Sequence, residues 1–133
     1  MKKIFLMLVA AAMTALTVSA QDINQATENY NNGAMELQMG NKDAALGYFQ
    51  TALTMAEALG DEGAEIAANC KNTIPALMAS IGKDLVKAES FDAAIEQFNQ
   101  VIDGYYEIEE PTSNDEKAFA MAKKFIVTSY NML

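Results

Sequence analysis

The strongest constraint on the fold is a pattern of four residues that occurs twice, with the copies 49 residues apart. Each copy has a glycine, a small residue twelve positions later, a phenylalanine four further on, and an alanine or valine three after that. The copies are Gly33, Ala45, Phe49 and Ala52, and Gly82, Ala94, Phe98 and Val101. Residues three and four positions apart lie on one face of a helix. The pattern therefore predicts a repeated pair of helices.

The residue types in this pattern have a steric reason. Two antiparallel helices pack closely only where one presents small side chains to the other. We expect Gly33 and Ala45 to allow that approach and Phe49 to fill the space between one helix pair and the next. Ala52 would keep the helices close near their far ends, and the second copy would repeat the arrangement.

Apolar residues at helical spacing predict an all-α chain after residue 20, with no strand pattern. The expected helices cover residues 21–38, 42–59, 62–88, 91 to between 106 and 109, and about 114–132. Asn41, Asp61 and Ser90 are expected to cap the second, third and fourth helices. Ser113 and Glu116 have the spacing of a capping box for the fifth helix.

The last predicted helix leaves two interpretations open. Its expected buried face consists of Phe119, Ala122, Phe125, Ile126 and Tyr130. With that face packed on the fourth helix, the last helix would cap a stack of repeats. If Met121, Val127 and Leu133 instead form an exposed apolar strip, the chain would dimerise or join a larger assembly.

The residues around both glycines resemble the tetratricopeptide repeat (TPR), a family of helix–turn–helix units of about 34 residues that stack into superhelices. The resemblance is carried by Asn31-Asn32-Gly33 and Gly47-Tyr48-Phe49-Gln50-Thr51-Ala52-Leu53, and by Ile81-Gly82, Phe91-Asp92-Ala93-Ala94-Ile95 and Phe98. It implies a short α-solenoid of antiparallel helix hairpins with a C-terminal capping helix. The repeat-like units would be about 22–59 and 62–109, and the cap about 114–132. The first helices depart from the family, because Asn29 and Met78 replace a large aromatic residue.

The copies lie about 15 residues farther apart than in the family. The extra residues fall between Leu59 and Ile74, and their alanine content favours an N-terminal extension of the third helix. Pro75 lies inside that helix and predicts a kink or a break near residues 72–74. The run Asn69-Cys70-Lys71-Asn72 followed by Ile74-Pro75 is similar to exported bacterial repeat proteins.

The N-terminal segment is typical of a signal peptide. Lys2 and Lys3 precede 15 uncharged residues, 4–18, and Val18-Ser19-Ala20 supplies small residues at a cleavage site. We therefore expect residues 1–20 to be removed and residues 21–133 to be periplasmic or secreted as one domain. An uncleaved membrane anchor is the alternative, although a spanning helix needs about 20 apolar residues. No other stretch is apolar enough to span a membrane.

Charge and composition exclude several functions. The net charge is −9 for the whole chain and becomes −11 when Lys2 and Lys3 are removed. This charge disfavours nucleic acid and anionic membrane surfaces, since both attract clustered cations. The chain has no histidine, which excludes a Ser–His or Cys–His nucleophile and His-dependent zinc sites. Asp61-Glu62 and Glu109-Glu110 are expected to be solvated acids. We predict no enzymatic activity, no cofactor and no metal.

The sulfur-containing residues are also expected to be structural. Cys70 is the only cysteine, so it cannot form an internal disulfide, and a buried helical position is favoured over an intermolecular bridge or a reactive thiol. The methionines after residue 20 are Met35, Met39, Met55, Met78, Met121 and Met132. We expect them to fill the core, with metal binding or promiscuous peptide binding as the alternative.

The resemblance implies a protein–protein interaction module, a scaffold or adaptor of the cell envelope, that binds partners on the face made by the first helix of each pair. By position relative to the two glycines, this groove would comprise Thr27, Tyr30, Ala34, Leu37 and Gln38, and Ala76, Ala79, Lys83, Val86 and Lys87. Lys83 and Lys87 lie one turn apart and could hold an acidic or C-terminal peptide, or could be surface lysines offset by Asp84. The alternative function is a self-assembling structural component, a homo-oligomer of the envelope.

Overall fold

The computed structural model describes residues 20–133, and burial from Asp22 onward. Its helices are α1 (Ala20–Gln38), α2 (Lys42–Ala58), a 3₁₀ turn (Gly60–Gly63), α3 (Ala64–Lys87), α4 (Phe91–Tyr106) and α5 (Ser113–Met132). No strand occurs among these residues, so the all-α prediction is confirmed for this part of the chain. The predicted signal peptide, residues 1–20, lies outside the described residues except for Ala20.

The chain divides into two compact units at residues 70 and 71, inside α3. Unit 1 contains α1, α2, the 3₁₀ turn and the start of α3, and unit 2 contains the rest of α3 with α4 and α5. α3 continues through Pro75, so a break near residues 72–74 is wrong. A proline removes only one backbone hydrogen-bond donor. The helix of 24 residues therefore continues on both sides of Pro75. The predicted helical extension before residue 74 is confirmed from Ala64 onward.

In unit 1, α1 packs against α2 where α1 lacks a side chain. A Cβ atom built on Gly33 would lie 3.0 Å from two ring carbons of Phe49. The ring of Tyr30, one turn earlier on α1, lies 5.5 Å from the Phe49 ring. Phe49 thus lies against the glycine of its own helix pair. Ala45 and Ala52, one turn away on either side along α2, are also buried.

In unit 2, the same contact is tighter. A Cβ atom on Gly82 would lie 2.6 Å from Cζ of Phe98. The Phe98 ring also stacks on Phe125 of α5, with centroids 5.9 Å apart. Phe98 of α4 therefore contacts both α3 and α5. The buried core cluster of unit 2 comprises Ala79, Ala94, Phe98, Val101, Ala118 and Ala122.

The turn from α1 to α2 consists of three residues, 39–41. Gly40 has a left-handed φ of +84°, a conformation that glycine adopts without steric strain. The Asn41 N–H donates to the Glu36 carbonyl at 2.9 Å, and the Gly40 N–H donates to the Leu37 carbonyl at 3.1 Å. These two bonds are those of the Schellman motif, which satisfies the last carbonyls of a helix.

The turn from α3 to α4 has the same backbone, although its sequence differs. Glu89 takes the glycine's place with φ +60°. The Ser90 N–H donates to the Leu85 carbonyl at 2.9 Å, and the Glu89 N–H donates to the Val86 carbonyl at 3.0 Å. Each residue lies 49 positions after its counterpart in the first turn. The repeat therefore includes the turn between the glycine and the phenylalanine as well as their contact.

The predicted helix caps are partly wrong. Asn41 and Ser90 occupy the N-cap positions of α2 and α4, but neither side chain makes a capping hydrogen bond. The Asn41 amide donates instead to the Glu36 carboxylate at 2.7 Å. Asp61 does not cap α3, because residues 60–63 form a 3₁₀ turn first.

The capping box of α5 lies one residue before the predicted one. The N-cap is Thr112 rather than Ser113, and the third helical residue is Asp115 rather than Glu116. The Asp115 N–H donates to Thr112 Oγ1 at 3.2 Å, and the Thr112 N–H donates to Asp115 Oδ2 at 2.7 Å. Asp115 is buried beside these donors, and its shorter side chain closes the box as Glu would.

A third close glycine contact was not predicted. A Cβ atom on Gly63 would lie 2.8 Å from Cα of Ala56 and closer still to the Ala56 carbonyl oxygen. The clash is with backbone, which cannot rotate away as a side chain can. Gly63 therefore determines how closely the 3₁₀ turn approaches the end of α2.

The buried face of α5 differs from the prediction. Its buried residues are Asp115, Ala118, Ala122 and Ser129, whereas Phe119, Phe125 and Ile126 are half-buried. Tyr130 is 58% exposed, so its predicted burial is wrong. Small residues form the centre of the stripe because they let α5 approach closely, and the large residues lie at its sides. Val127 and Leu133 are exposed, but Met121 packs against the core of unit 2.

The methionine prediction is wrong for three residues. Met35 and Met39 are 55% and 58% exposed, and Met132 is exposed as well. Met35 lies two residues after Gly33, which turns its side chain away from the face that contacts α2. Met55, Met78 and Met121 are half-buried.

Replacing Gly82 with alanine should lower the free energy of unfolding by up to about 2 kcal/mol. Overpacking of about 1–3 kcal/mol against the buried Phe98 ring exceeds the helix-propensity gain of about 1 kcal/mol. Gly104→Ala is the matched control, because a Cβ atom there meets nothing within 4 Å. That variant should gain stability. Urea unfolding followed by circular dichroism measures both, and equal changes in the two variants would contradict the steric role of Gly82.

Replacing Glu89 with glycine should raise the free energy of unfolding by about 0.5–1 kcal/mol, because the left-handed conformation is strained for glutamate. Gly40→Ala should lower it by about 1 kcal/mol for the same reason. A Cβ atom on Gly40 meets no neighbour, so a loss there reports conformation alone. The same urea titrations give both values, and a destabilised Glu89→Gly variant would rule out strain at this turn.

Candidate binding site

The predicted groove residues of α1 lie in unit 1 and differ in exposure. Thr27 is exposed, and its hydroxyl donates to a carbonyl one turn earlier in α1. Tyr30 is half-buried because its ring contacts Phe49. Leu37 and Gln38 are exposed near the end of the helix. Tyr30 therefore contributes to packing, whereas Thr27, Leu37 and Gln38 are accessible.

The predicted groove residues of α3 lie in unit 2. Lys83 is half-buried, with its Nζ 5.8 Å from the centroid of the Phe125 ring. Val86 packs against the core cluster, and Lys87 is exposed. Ala79 belongs to the core cluster and is fully buried, so it lines no open groove. A groove formed jointly by the predicted residues of α1 and those of α3 stays a prediction.

Unit 2 contains a half-open cavity of about 130 Å³ that sequence reasoning missed. Its walls come from α3, from the second half of α4 and the residues that follow it, and from the start of α5. The lining residues are Ile74, Pro75, Met78, Gln100, Val101, Gly104, Tyr105, Ile108 and Asp115. Most of these side chains are aliphatic or aromatic, so the cavity presents mainly apolar surface.

Two features of the sequence leave this space open. Gly104 has no side chain, and a Cβ atom there would meet nothing within 4 Å. The Asp115 carboxylate, the charged group of the lining, is held by Thr112, whose hydroxyl donates to Oδ2 at 2.8 Å. Among the described residues, no buried side-chain nitrogen or oxygen lacks a hydrogen-bond partner. The cavity therefore offers no unpaired buried polar group to a ligand.

An aromatic cluster supports one wall of the cavity. The Tyr105 ring stacks on Phe119 with centroids 4.1 Å apart, and the Tyr106 ring meets Phe119 edge-on at 5.5 Å. On the same ring, Lys123 Nζ lies 4.4 Å from the centroid. Tyr105 is thus held in position, while its neighbour Tyr106 is 73% exposed.

The chain around the cavity is strongly acidic. Residues 88–116 contain nine of the 18 acids and no lysine. Ile108, which lines the cavity, lies between Glu107 and Glu109, and Glu110 follows; all three glutamates are exposed. The negative potential of these carboxylates attracts cationic groups toward this part of unit 2.

Only weak signals in the sequence pointed to this cavity. Gly104 interrupts an otherwise amphipathic helix, and Pro75 was interpreted only as the cause of a helix kink or break. The cavity forms because these two residues and Ile108 come together in three dimensions, although Pro75 and Ile108 are 33 positions apart. A sequence pattern along one helix does not contain that information.

The possible ligands for a metal do not converge. Within residues 20–133, no group of three Cys, Asp or Glu side chains is placed to hold a metal ion. Asp61 and Glu62 are exposed, as are Glu109 and Glu110, which agrees with the solvated state expected of both pairs. In the same part of the chain, no helix is both long and apolar enough to cross a bilayer.

Comparison of the chain with protein-family models, curated proteins and solved structures gave no match.

Cys70 is fully buried, as expected from its helical position. Burial removes water from around the thiol and raises its pKa. A raised pKa reduces the thiolate fraction at neutral pH, and the thiolate is the reactive form.

A thiol reagent such as iodoacetamide should therefore modify Cys70 of the native chain at least about 100-fold more slowly than that of the urea-unfolded chain, at equal pH. Mass spectrometry at timed intervals measures both rates, and Cys70→Ala is the unlabelled control. A native rate within about tenfold of the unfolded rate would contradict the inert, buried thiol.

Proposed function

We propose that this chain is an exported protein–protein interaction module of the cell envelope, a scaffold or adaptor built from two TPR-like antiparallel helix pairs and a capping helix. The observation that carries the proposal is the repetition, after 49 residues, of both the inter-helix turn and the glycine–phenylalanine contact. Repeated helix pairs form extended binding surfaces without needing a catalytic pocket.

The order of the contacts supports an antiparallel arrangement of α1 and α2. Gly33 meets Phe49, and the amide of Asn29, one turn earlier, reaches the Met55 sulfur at 3.5 Å. Contact positions therefore move forward along α2 as they move backward along α1. This contact register is what a helix hairpin with a short Schellman turn would have.

The chemistry of the side chains supports binding rather than catalysis. The sequence has no histidine, and both acid pairs lie at exposed positions. Burial keeps the Cys70 thiol protonated. Large exposed apolar side chains occur instead, including Leu37 on α1 and Tyr106 on α4. Side chains of this kind are common in surfaces that bind other proteins.

One set of residues favours self-assembly as a second candidate function. The end of α5 exposes Val127, Tyr130, Met132 and Leu133. A second copy of the chain could cover these side chains, which would make the protein a homo-oligomeric structural component of the envelope.

A photo-crosslinking phenylalanine analogue at position 37, 87 or 106 of the full-length chain tests the adaptor proposal. The variants are expressed in the cell that produces the protein and are then irradiated. At least one variant should form a crosslinked product that contains a different protein, which mass spectrometry identifies. The matched control places the analogue at Glu96, an exposed position outside the predicted groove and the cavity wall. Products from the control alone would contradict the proposal.

The same samples separate the two candidate functions. Products whose masses are multiples of the chain alone, together with a dimer or larger species in size-exclusion chromatography with light scattering, would support self-assembly. A monomer that forms products with other proteins would exclude it.

A further inference from the structure

We infer that the cavity of unit 2 binds a single apolar side chain from a positively charged segment of a partner protein. This inference rests on the proposed binding function and names the site and the chemistry of the segment. It differs from the predicted α1/α3 groove in place and in charge, because that groove would use Lys83 and Lys87 to hold an acidic segment.

The size of the cavity sets the size of the group. A closed apolar cavity of about 150 Å³ holds a benzene molecule and stays dry when empty. The 130 Å³ cavity is similar and is open on one side, so it has room for one branched aliphatic or aromatic side chain that enters from solvent. Burial of such a side chain contributes enough free energy for about a tenfold or greater gain in affinity.

The lining decides that the group is apolar. Ile74, Met78, Val101 and Ile108 present hydrocarbon or thioether surface, and the Asp115 carboxylate is already bonded to Thr112. The cavity surface is mainly apolar, so a polar group that entered it would replace few of the hydrogen bonds that it makes to water. An apolar group has no hydrogen bonds to water to give up on entering, so the cavity favours an apolar group.

The acidic chain segment that carries most of the lining favours positively charged residues next to the inserted side chain. The lining residue Ile108 lies between Glu107 and Glu109 in the sequence, and Glu110 follows. Residues 88–116 contain no lysine. Lysine or arginine residues next to the inserted side chain would meet complementary charge. The exposed Tyr106 adds an aromatic face on which a cation can lie.

The site is separate from the lysines of the predicted groove. Pro75 and Met78 contribute to the cavity from one end of the unit 2 part of α3, whereas Lys83 and Lys87 lie toward the other end. Pro75 and Lys83 are about 12 Å apart along the helix axis.

The geometry supplies a blocking variant that keeps the fold. Gly104 lines the cavity, and a side chain added there meets no other atom at its Cβ. Gly104→Leu adds a branched side chain at a lining position of the cavity and raises helix propensity in α4. Gly47→Leu is the matched control, because Gly47 lies inside α2 of unit 1 and its Cβ position is equally open.

The experiment uses the full chain with isotope-labelled isoleucine and methionine methyl groups. The probe is a blocked peptide with one leucine between paired lysines, and its variants replace the leucine with serine or the lysines with glutamates. Titration is expected to shift the methyl signals of Ile74, Met78 and Ile108. The Gly104→Leu variant should bind at least about tenfold more weakly, and Gly47→Leu should bind as the unchanged chain does.

The two peptide variants test the two parts of the inference. The serine peptide should lose at least about tenfold in affinity. The glutamate peptide should not bind, and binding of the lysine peptide should weaken as salt rises. Replacing Glu107, Glu109 and Glu110 with glutamines should weaken binding several-fold, whereas Asp92→Asn with Glu96→Gln near the start of α4 should change it less.

The outcomes distinguish this inference from the proposed function. Equal binding of the leucine and serine peptides, or unchanged binding by Gly104→Leu, would overturn the cavity site. No binding of the lysine peptide to the unchanged chain would overturn it as well. If crosslinking still identified a partner protein, the proposed function would stand without this site; if crosslinking also failed, both would fall.

Discussion

The contact between a phenylalanine ring and a glycine backbone is the interaction on which the other features of this protein depend. Phe98 can lie against α3 only because Gly82 has no side chain, and the same buried ring stacks on Phe125 of α5. The same choice of residues brings α1 and α2 together at Gly33. Each contact positions a helix pair, and in unit 2 it also positions the helices whose ends surround the cavity.

Two different sequences form the same turn. Gly40 takes the left-handed conformation without strain, whereas Glu89 takes it at a steric cost, and the hydrogen bonds around them are equivalent. The packing of the helices on both sides therefore dictates the turn, and the local residue adapts to it. The repeat is therefore one of backbone structure, because the two turns have equivalent hydrogen bonds although their residues differ.

The fold and the candidate site were predictable to different degrees. The helices followed from apolar spacing, and the burial of Phe49 and Phe98 followed from the repeat. The caps were less predictable, because Thr112 and Ser113 are adjacent candidates for the N-cap of α5. The backbone conformation shows that Thr112, which is extended, is the N-cap. Tyr130 was expected in the core, but the smaller Ser129 is buried and Tyr130 is exposed. A small buried residue allows α5 to pack closely. The cavity had no linear signal, since its walls come from three helices.

The sequence by itself determined the class of structure and the electrostatic character of the protein. Apolar residues at steps of three and four can be buried together only on helices, and the excess of acids is independent of conformation. The tertiary structure alone decided where a partner side chain could enter. Pro75 of α3 lies 29 and 33 positions before Gly104 and Ile108, and the space between them exists only after the Phe98–Gly82 contact has set the distance between α3 and α4. Spacing along a helix specifies which face is buried, but the volume left between three helices depends on how closely their backbones approach.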